Sequence, residues 1–164
     1  MLEQIFEFFL GAGREAALFI ISMIPLIELR GSIPFGAALG MPWYMVFLIS
    51  VIGNLLPIPF LILFVRPVFA WLKRRSLFSG IVARLENKLI SKASKVTQYE
   101  VIGLTLFVAI PLPGTGAWSG AGIAALLGMR LRHALPSIAA GVLIAGCIMT
   151  AASYGVASIF SAVA

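Results

Sequence analysis

The stretch Ile24-Pro25-Leu26-Ile27-Glu28-Leu29-Arg30-Gly31-Ser32-Ile33-Pro34 decides how this chain folds. Its prolines remove backbone donors, and Gly31 relaxes the backbone beside two ionisable side chains, so a helix that enters this stretch must break. The apolar residues 16–27 that lead into it form about 18 Å of helix, which is too short to cross about 30 Å of hydrocarbon. We therefore predict a break inside an apolar segment, made by Pro25, Gly31 and Pro34.

Composition places this break in a membrane. Of the 164 residues, 61% are hydrophobic and 11% are charged, with a mean hydropathy of +1.08. A water-soluble domain of this length has too little interior for such a composition. Three charge-free runs, 31–65, 101–129 and 134–164, each exceed the roughly 20 residues that a spanning helix needs. The N-terminus lacks the basic region of a cleavable signal, so we expect the whole chain to be mature.

A second break, at residues 110–120, repeats the pattern of the first. Ile24-Pro25-Leu26 matches Ile110-Pro111-Leu112 at an offset of 86, and Gly40 matches Gly128 at an offset of 88. A long apolar helix follows each break. This pattern predicts a duplicated unit of helical hairpin plus transmembrane helix. The breaking residues of the second hairpin are Pro111, Pro113 and Gly114.

The basic residues predict the topology. Eight of the twelve Lys and Arg lie within residues 66–95, which the positive-inside rule assigns to the cytoplasmic side of the membrane. Arg130 and Arg132 join them only if each hairpin is re-entrant, entering and leaving by one face. Hairpins that enter from opposite faces make an inverted repeat, so the predicted fold is an all-α integral membrane protein of that kind.

The predicted organisation is a single membrane domain, residues 1–164. Its parts are a first repeat at 16–65 (hairpin 16–41, transmembrane helix 43–65), a basic connector at 66–100, and a second repeat at 101–160 (hairpin 101–129, transmembrane helix 134–160). In the connector, Ile81, Leu85 and Leu89 lie near one helical face and Arg84 and Lys88 mostly on the other. This predicts an amphipathic helix on anionic lipid, with a solvated basic linker as the alternative.

Glu28 and Arg30 are the strongest candidates for function, because a charged side chain in a membrane segment costs at least a few kcal/mol unless it is paired, hydrated or protonated. A structural ion pair is the alternative interpretation. In the functional one, Arg30 is a permanent cation suited to a phosphate or carboxylate. Glu28 would exchange protons during transport, because burial favours the neutral form of a carboxylate.

The remaining candidates are neutral groups around the breaks. Freed amides at a half-helix N-terminus favour an anion, whereas Asn54 is also suited to an interhelical hydrogen bond. The predicted substrate-binding residues are Glu28, Arg30, Ser32, Asn54, Thr115, Gly116, Trp118 and Ser119. With one cysteine, one histidine and no aspartate, the sequence offers no assembled enzyme chemistry. We predict no enzyme activity, metal, cofactor or nucleic-acid partner.

Three stretches of the sequence together resemble the small multidrug export protein family of bacteria and archaea. They are the first break, GNLLPIP at 53–59 and PLPGTGAWSGA at 111–121. That family more distantly resembles the DedA superfamily, whose paired re-entrant hairpins are implicated in moving undecaprenyl phosphate or other lipids. The resemblance implies that Glu28 corresponds to the acidic residue of the first DedA-type hairpin. The second hairpin departs from that pattern, because Val108, Ala109, Gly114 and Thr115 stand where arginines are usual.

Three functions follow as expectations. The first is a lipid translocase for an anionic or polyprenyl-phosphate lipid such as undecaprenyl phosphate, in which Arg30 holds the head group and Glu28 couples movement to protons. The second is efflux of small amphipathic cations bound by Glu28. The third is a non-transporting membrane scaffold. Two hairpins and two long helices are few to shield a polar site from lipid, so we also predict a homodimer.

Overall fold

The computed structural model describes the backbone of residues 13–74, 76–93, 100–112 and 114–163, and the side chains of 13–74, 80–91, 101–112 and 114–155. These residues form helices and no strand. The helices are α1 (Arg14–Met23), α2 (Glu28–Ala38), α3 (Trp43–Leu55), α4 (Ile58–Lys73), α5 (Ser76–Ala93), α6 (Glu100–Ala109), α7 (Ala117–Leu127) and α8 (Leu131–Val163). Pro113, a predicted breaking residue, and residues 94–99 of the connector lie outside the described residues.

The chain divides into two compact units. The first unit holds the described residues up to Leu56 and those from Val142 onward, and the second unit is Pro57–Gly141. In the first, α1 and α2 form hairpin 1, and both pack against α3. In the second, α6 and α7 form hairpin 2, and α7 also packs against α4 and α5. Each unit therefore contains one hairpin and the beginning of the long helix that follows it.

Hairpin 1 turns where the sequence predicts a break. Ile24 is extended, because the ring of Pro25 disfavours helical backbone at the residue before it, and α1 ends at Met23. The hairpin approaches α3 closely at Gly53, where an added Cβ would lie 2.8 Å from the carbonyl oxygen of Phe19 and would also clash with Ser22 Oγ. Glycine is required at this crossing because the clash involves backbone.

Hairpin 2 makes the same close approach in the second unit. A Cβ on Gly141 would lie 2.7 Å from the carbonyl oxygen of Thr105 and 2.7 Å from Val108 Cβ. Gly141 follows Gly53 by 88 positions, while Thr105 and Val108 follow Phe19 and Ser22 by 86. The offsets of the sequence motifs thus recur as contacts.

The C-terminal ends of α2 and α7 have one hydrogen-bond pattern. Gly40 donates to the Ala37 carbonyl and Met41 to the Gly36 carbonyl, at 3.0 and 3.1 Å. Gly128 and Met129, 88 positions later, donate to Ala125 and Ala124 at 3.1 and 3.0 Å. Both glycines are left-handed, with φ of 69° and 71°. Each helix therefore ends in a Schellman motif. From the start of α2 and of α7 onward, we call two residues equivalent when they lie 88 positions apart.

The long helices have membrane-spanning dimensions. Trp43–Lys73 and Leu131–Gly155 are apolar helices of 31 and 25 residues, long enough to cross a membrane. The first is interrupted at Leu56 and Pro57, because Pro57 and Pro59 supply no backbone donor. It continues through Val65, its expected end, to Lys73. The large apolar side chains that it exposes include Leu48, Ile52, Phe60, Leu63 and Phe64.

The connector helix α5 packs on its own unit through one side. Val82 is buried, and Leu89 contacts α7 at Gly122, where an added Cβ would lie 3.1 Å from Leu89 Cδ1. Ile81 and Leu85, which the sequence places on one apolar stripe with Leu89, are exposed, and so is Ile90. The described part of α5 therefore leaves three large apolar side chains uncovered by its own unit.

Candidate functional site

The tip of hairpin 1 carries unusual backbone. Leu26 and Glu28 have positive φ angles of 77° and 51°, and they are the only non-glycine residues among those described that do. Such a conformation is a rare outlier for a bulky residue and costs of the order of 1 kcal/mol. Strain of this kind persists where the surrounding structure enforces it, and it clusters at functional sites. Hairpin 1 therefore holds Glu28 in this position at a cost in folding stability.

Buried polar side chains concentrate around this tip. In the described part of the first unit, five polar residues are no more than 5% exposed. We call them the polar column: Ser22, Glu28, Ser32, Ser50 and Asn54. The second unit has one buried polar residue among those described, Ser137, which donates to the His133 carbonyl of its own helix at 2.6 Å.

Two contacts set the register between α2 and α3. One helical turn before Gly40, Gly36 contacts Val46. A methyl carbon of Val46 lies 2.6 Å from the position that a Cβ added to Gly36 would occupy. One turn further toward the tip, Ser32 Oγ donates to Ser50 Oγ at 2.7 Å. Because residues four apart share a helix face, the next turn places Glu28 opposite Asn54. The column therefore runs from the Ser32–Ser50 hydrogen bond to the tip.

Glu28 and Arg30 share the first turn of α2. Their charges interact, and Arg30 is half-buried whereas Glu28 is buried. The Glu28 amide donates to the Ile24 carbonyl at 3.0 Å, which fixes the backbone at the tip. A carboxylate at a helix N-terminus is also favoured by the helix dipole. The predicted pair is thus brought together at the tip of hairpin 1.

Asn54 lies at the level of Glu28 and is almost completely enclosed. It is 1% exposed, and its Oδ1 is buried without a hydrogen-bond partner. A buried polar atom without a partner is uncommon in proteins and calls for an explanation. The polar column therefore offers an acceptor that is not used by another side chain or by the backbone of the described residues.

The second break is built differently. Thr115 Oγ1 lies 2.8 Å from the Ile110 carbonyl oxygen and 2.9 Å from that of Leu112, so the hydroxyl closes the turn. Gly116 is buried, and Trp118 and Ser119 are half-buried in α7. These residues belong to the second unit, whereas Glu28, Arg30, Ser32 and Asn54 belong to the first. The predicted site residues thus form two groups.

Sequence reasoning missed Ser22 and Ser50. Ser50 lies four residues before Asn54, so both occupy one face of α3, and that spacing was a usable signal. Ser22 lies next to the break in an otherwise apolar helix. Among the described residues, no group of three His, Cys, Asp or Glu is placed to hold a metal ion.

These features define an all-helical membrane protein with a polar site beside a broken helix. A family profile described as "Putative small multi-drug export protein" matches residues 28–148, and the chain belongs to this family. The match includes Glu28, Arg30, Asn54 and the whole second break. No curated protein and no solved structure matches the chain significantly. The comparisons thus support membrane export and give no support to the DedA resemblance or to undecaprenyl phosphate.

Proposed function

We propose that this protein exports small amphipathic cations across the cytoplasmic membrane of a prokaryote, using Glu28 as the group that binds the substrate and the coupling proton in turn. One observation carries the proposal: Glu28 is buried at a strained tip of a membrane protein whose family is described as exporting drugs. A buried carboxylate is costly to maintain, and such a residue marks a transport pathway by default.

Exchange follows from charge. A proton and a cationic substrate each bring one positive charge to the carboxylate, so each displaces the other from Glu28. Arg30 balances the ionised carboxylate while neither is bound. Binding from one face and release at the other then couple proton entry to substrate exit.

The proposal includes an inverted repeat of two re-entrant hairpins. Its support is the set of shared backbone hydrogen bonds and glycine contacts at the two offsets. Hairpin arms also have the right size, since α1 and α2 have 10 and 11 residues, about 15 Å at 1.5 Å per residue. Such arms reach the membrane interior and return to the face from which they came. Hairpins that enter from opposite faces would bring both breaks to mid-membrane depth.

Orientation and assembly complete the proposal. The basic connector lies on the cytoplasmic side, with exposed Ile81 and Leu85 of α5 inserted among anionic lipids. A homodimer shields the polar tips from lipid.

A second candidate function rests on Arg30. A half-buried guanidinium beside the tip is suited to an anionic head group. In this alternative, the protein moves an anionic lipid such as undecaprenyl phosphate, and Glu28 releases Arg30 when it is protonated.

Purified protein in liposomes separates these functions. We expect efflux of a fluorescent amphipathic cation, driven by an imposed pH gradient, to be lost in Glu28→Gln and kept in Glu15→Gln, an exposed glutamate of the same unit. Scrambling of a fluorescent lipid phosphate, measured in parallel and lost in Arg30→Ala without any dye flux, would instead favour the second candidate. If the wild-type protein shows neither activity, both transport functions are contradicted and the membrane scaffold remains.

A further inference from the structure

Asn54 has no role in the charge exchange described above, yet it is the most unusual member of the polar column. Its Oδ1 is buried without a partner, while Ser32 Oγ donates to Ser50 Oγ at 2.7 Å. Thr150 Oγ1 is the other such oxygen in the described part of the first unit. It lies in α8, and none of the contacts described for α8 in this unit places it beside a charged group. Asn54 is distinguished by its position opposite Glu28.

The chemistry of a carboxyl group identifies what the Asn54 oxygen can bind. An ionised carboxylate only accepts hydrogen bonds, so it has nothing to donate to Oδ1. A protonated carboxyl carries an O–H group, and this donor matches the unused acceptor. Arg30, two residues from Glu28 in the first turn of α2, is the nearby cation for the ionised form, and Asn54 Oδ1 is an acceptor for the neutral form.

We infer that Asn54 is the positioning residue for the coupling proton, accepting a hydrogen bond from protonated Glu28. The inference rests on the proposed role of Glu28 and deepens it. A hydronium ion transfers the proton: one of its O–H bonds breaks, an O–H bond forms on the Glu28 carboxylate, and a water molecule is left. Glu28 then exchanges its partner from Arg30 to Asn54, and the positive charge of Arg30 is left uncompensated. That charge repels a cationic substrate and so favours its release.

In the described part of the first unit, the other titratable groups lie at least 13 residues from Glu28 along the chain. On α1, Arg14 donates to the Leu39 carbonyl at 3.3 Å, at the open end of hairpin 1, and Glu15 is next to it. On α3, Tyr44 lies in the first turn, and on α8, Tyr154 donates to the Met41 carbonyl at 2.7 Å. Cys147 of α8 is exposed. Arg30 is therefore the charged group that shares the tip with Glu28 among the described residues of this unit.

Infrared spectroscopy of the protonated carboxyl, followed against pH in the absence of substrate, tests the inference directly. In Asn54→Leu, a side chain of similar size without an acceptor, we expect Glu28 to bind its proton roughly tenfold more weakly, a shift of about one pH unit to lower pH. The matched control is Thr150→Val, which removes the other unpartnered oxygen and should leave the titration unchanged. An unchanged or upward shift in Asn54→Leu would overturn the inference.

A second comparison does not depend on the folding of an Asn54 variant. Glu28→Gln keeps a donor for Oδ1, whereas Glu28→Leu has none. We expect Glu28→Gln to melt several degrees higher than Glu28→Leu, and equal melting temperatures would count against the hydrogen bond. Neither measurement involves transport. If both succeed while dye efflux is absent, the proton site stands and the proposed export fails.

Discussion

At the tip of hairpin 1, Leu26 and Glu28 hold positive φ angles, whereas beside the second break the positive φ angles belong to glycines, Gly114 and Gly116. Leu26 and Gly114 share a φ of 77°. Backbone of positive φ is thus adopted at the first break by residues whose side chains strain it and at the second by glycines that do not. Since glycine is the less strained solution, the residues at the first tip serve something other than stability.

The residues packed behind the two tips also differ, in polarity. Ser32 bonds to Ser50 in the first unit, and the equivalent Gly120 and Ile138 meet in the second, where an added Cβ on Gly120 would lie 3.8 Å from Ile138. Ser22 likewise corresponds to Val108 at the offset of 86. One unit is polar beside its tip and the other is apolar. The comparison separates a backbone pattern that the two units share from the polar column, which is confined to the unit where we propose that the substrate binds.

The largest expected effect tests the shared scaffold. Gly53→Val and Gly141→Val should each destabilise the protein by about 3 kcal/mol, because the new Cβ would collide with a backbone carbonyl of the neighbouring arm. Unfolding by denaturant in detergent micelles measures both. Gly80→Ala is the control, since nothing lies within 4 Å of its added Cβ. If either variant unfolds like the wild type, the two glycine crossings are not structurally equivalent.

The next effect concerns the polar core. Ser50→Ala should cost about 1–3 kcal/mol of unfolding free energy, because it leaves the buried Ser32 hydroxyl without a partner. The double variant Ser32→Ala and Ser50→Ala should recover most of that loss, as the apolar second unit shows is feasible. Ser137→Ala is the control in the second unit. Additive losses in the double variant would mean that the hydroxyls do not act as a pair.

A smaller effect is expected where α8 and α4 cap the hairpins. Tyr154 donates to the Met41 carbonyl at 2.7 Å, and the equivalent Arg66 donates to the Leu126 carbonyl at 2.7 Å. Tyr154→Phe and Arg66→Ala should each lower the unfolding free energy by about 1 kcal/mol. Arg66→Lys keeps a donor and should lose less than Arg66→Ala. Equal losses would show that Arg66 acts through packing.

The smallest effect has the opposite sign. Leu26 is 95% exposed and strained, so Leu26→Gly should raise the unfolding free energy by about 0.5 kcal/mol, after the entropy of glycine is subtracted from the relief of strain. Gly114→Leu, the reverse exchange at the residue of the second break with the same φ, should lower it. Both are measured by thermal unfolding in micelles. A destabilised Leu26→Gly would show that the Leu26 side chain contributes to packing.

Much of the fold was accessible from the sequence because prolines and glycines act locally. Pro25 and Pro111 predict the two turns whatever surrounds them, and the spacing of Gly40 and Gly128 predicts the equivalence of the helix ends. The partner of Ser32 was not accessible, because a serine hydroxyl suits many environments and its partner depends on the register of α2 against α3. The positive φ of Glu28 runs against the preference of its residue type and could be learned only from the structure.

The α5 face illustrates the same limit. Ile81, Leu85 and Leu89 satisfy a helical period, and so do Val82 and Leu89. Periodicity alone does not say which side of α5 packs on its own unit, whereas the burial of Val82 and the contact of Leu89 with α7 at Gly122 do. The candidate site was predicted as a set of residues around two breaks, and the structure assigns its charged members to one unit.

Side-specific labelling at equivalent positions tests the central claim of an inverted repeat most directly. The exposed Cys147 is first replaced by serine, and a single cysteine is then introduced at Pro42 or at Arg130, which are exposed and follow the two Schellman motifs. A membrane-impermeant maleimide should label position 130 only from the cytoplasmic side and position 42 only from the opposite side. Labelling of both positions from the same side would contradict the inverted repeat.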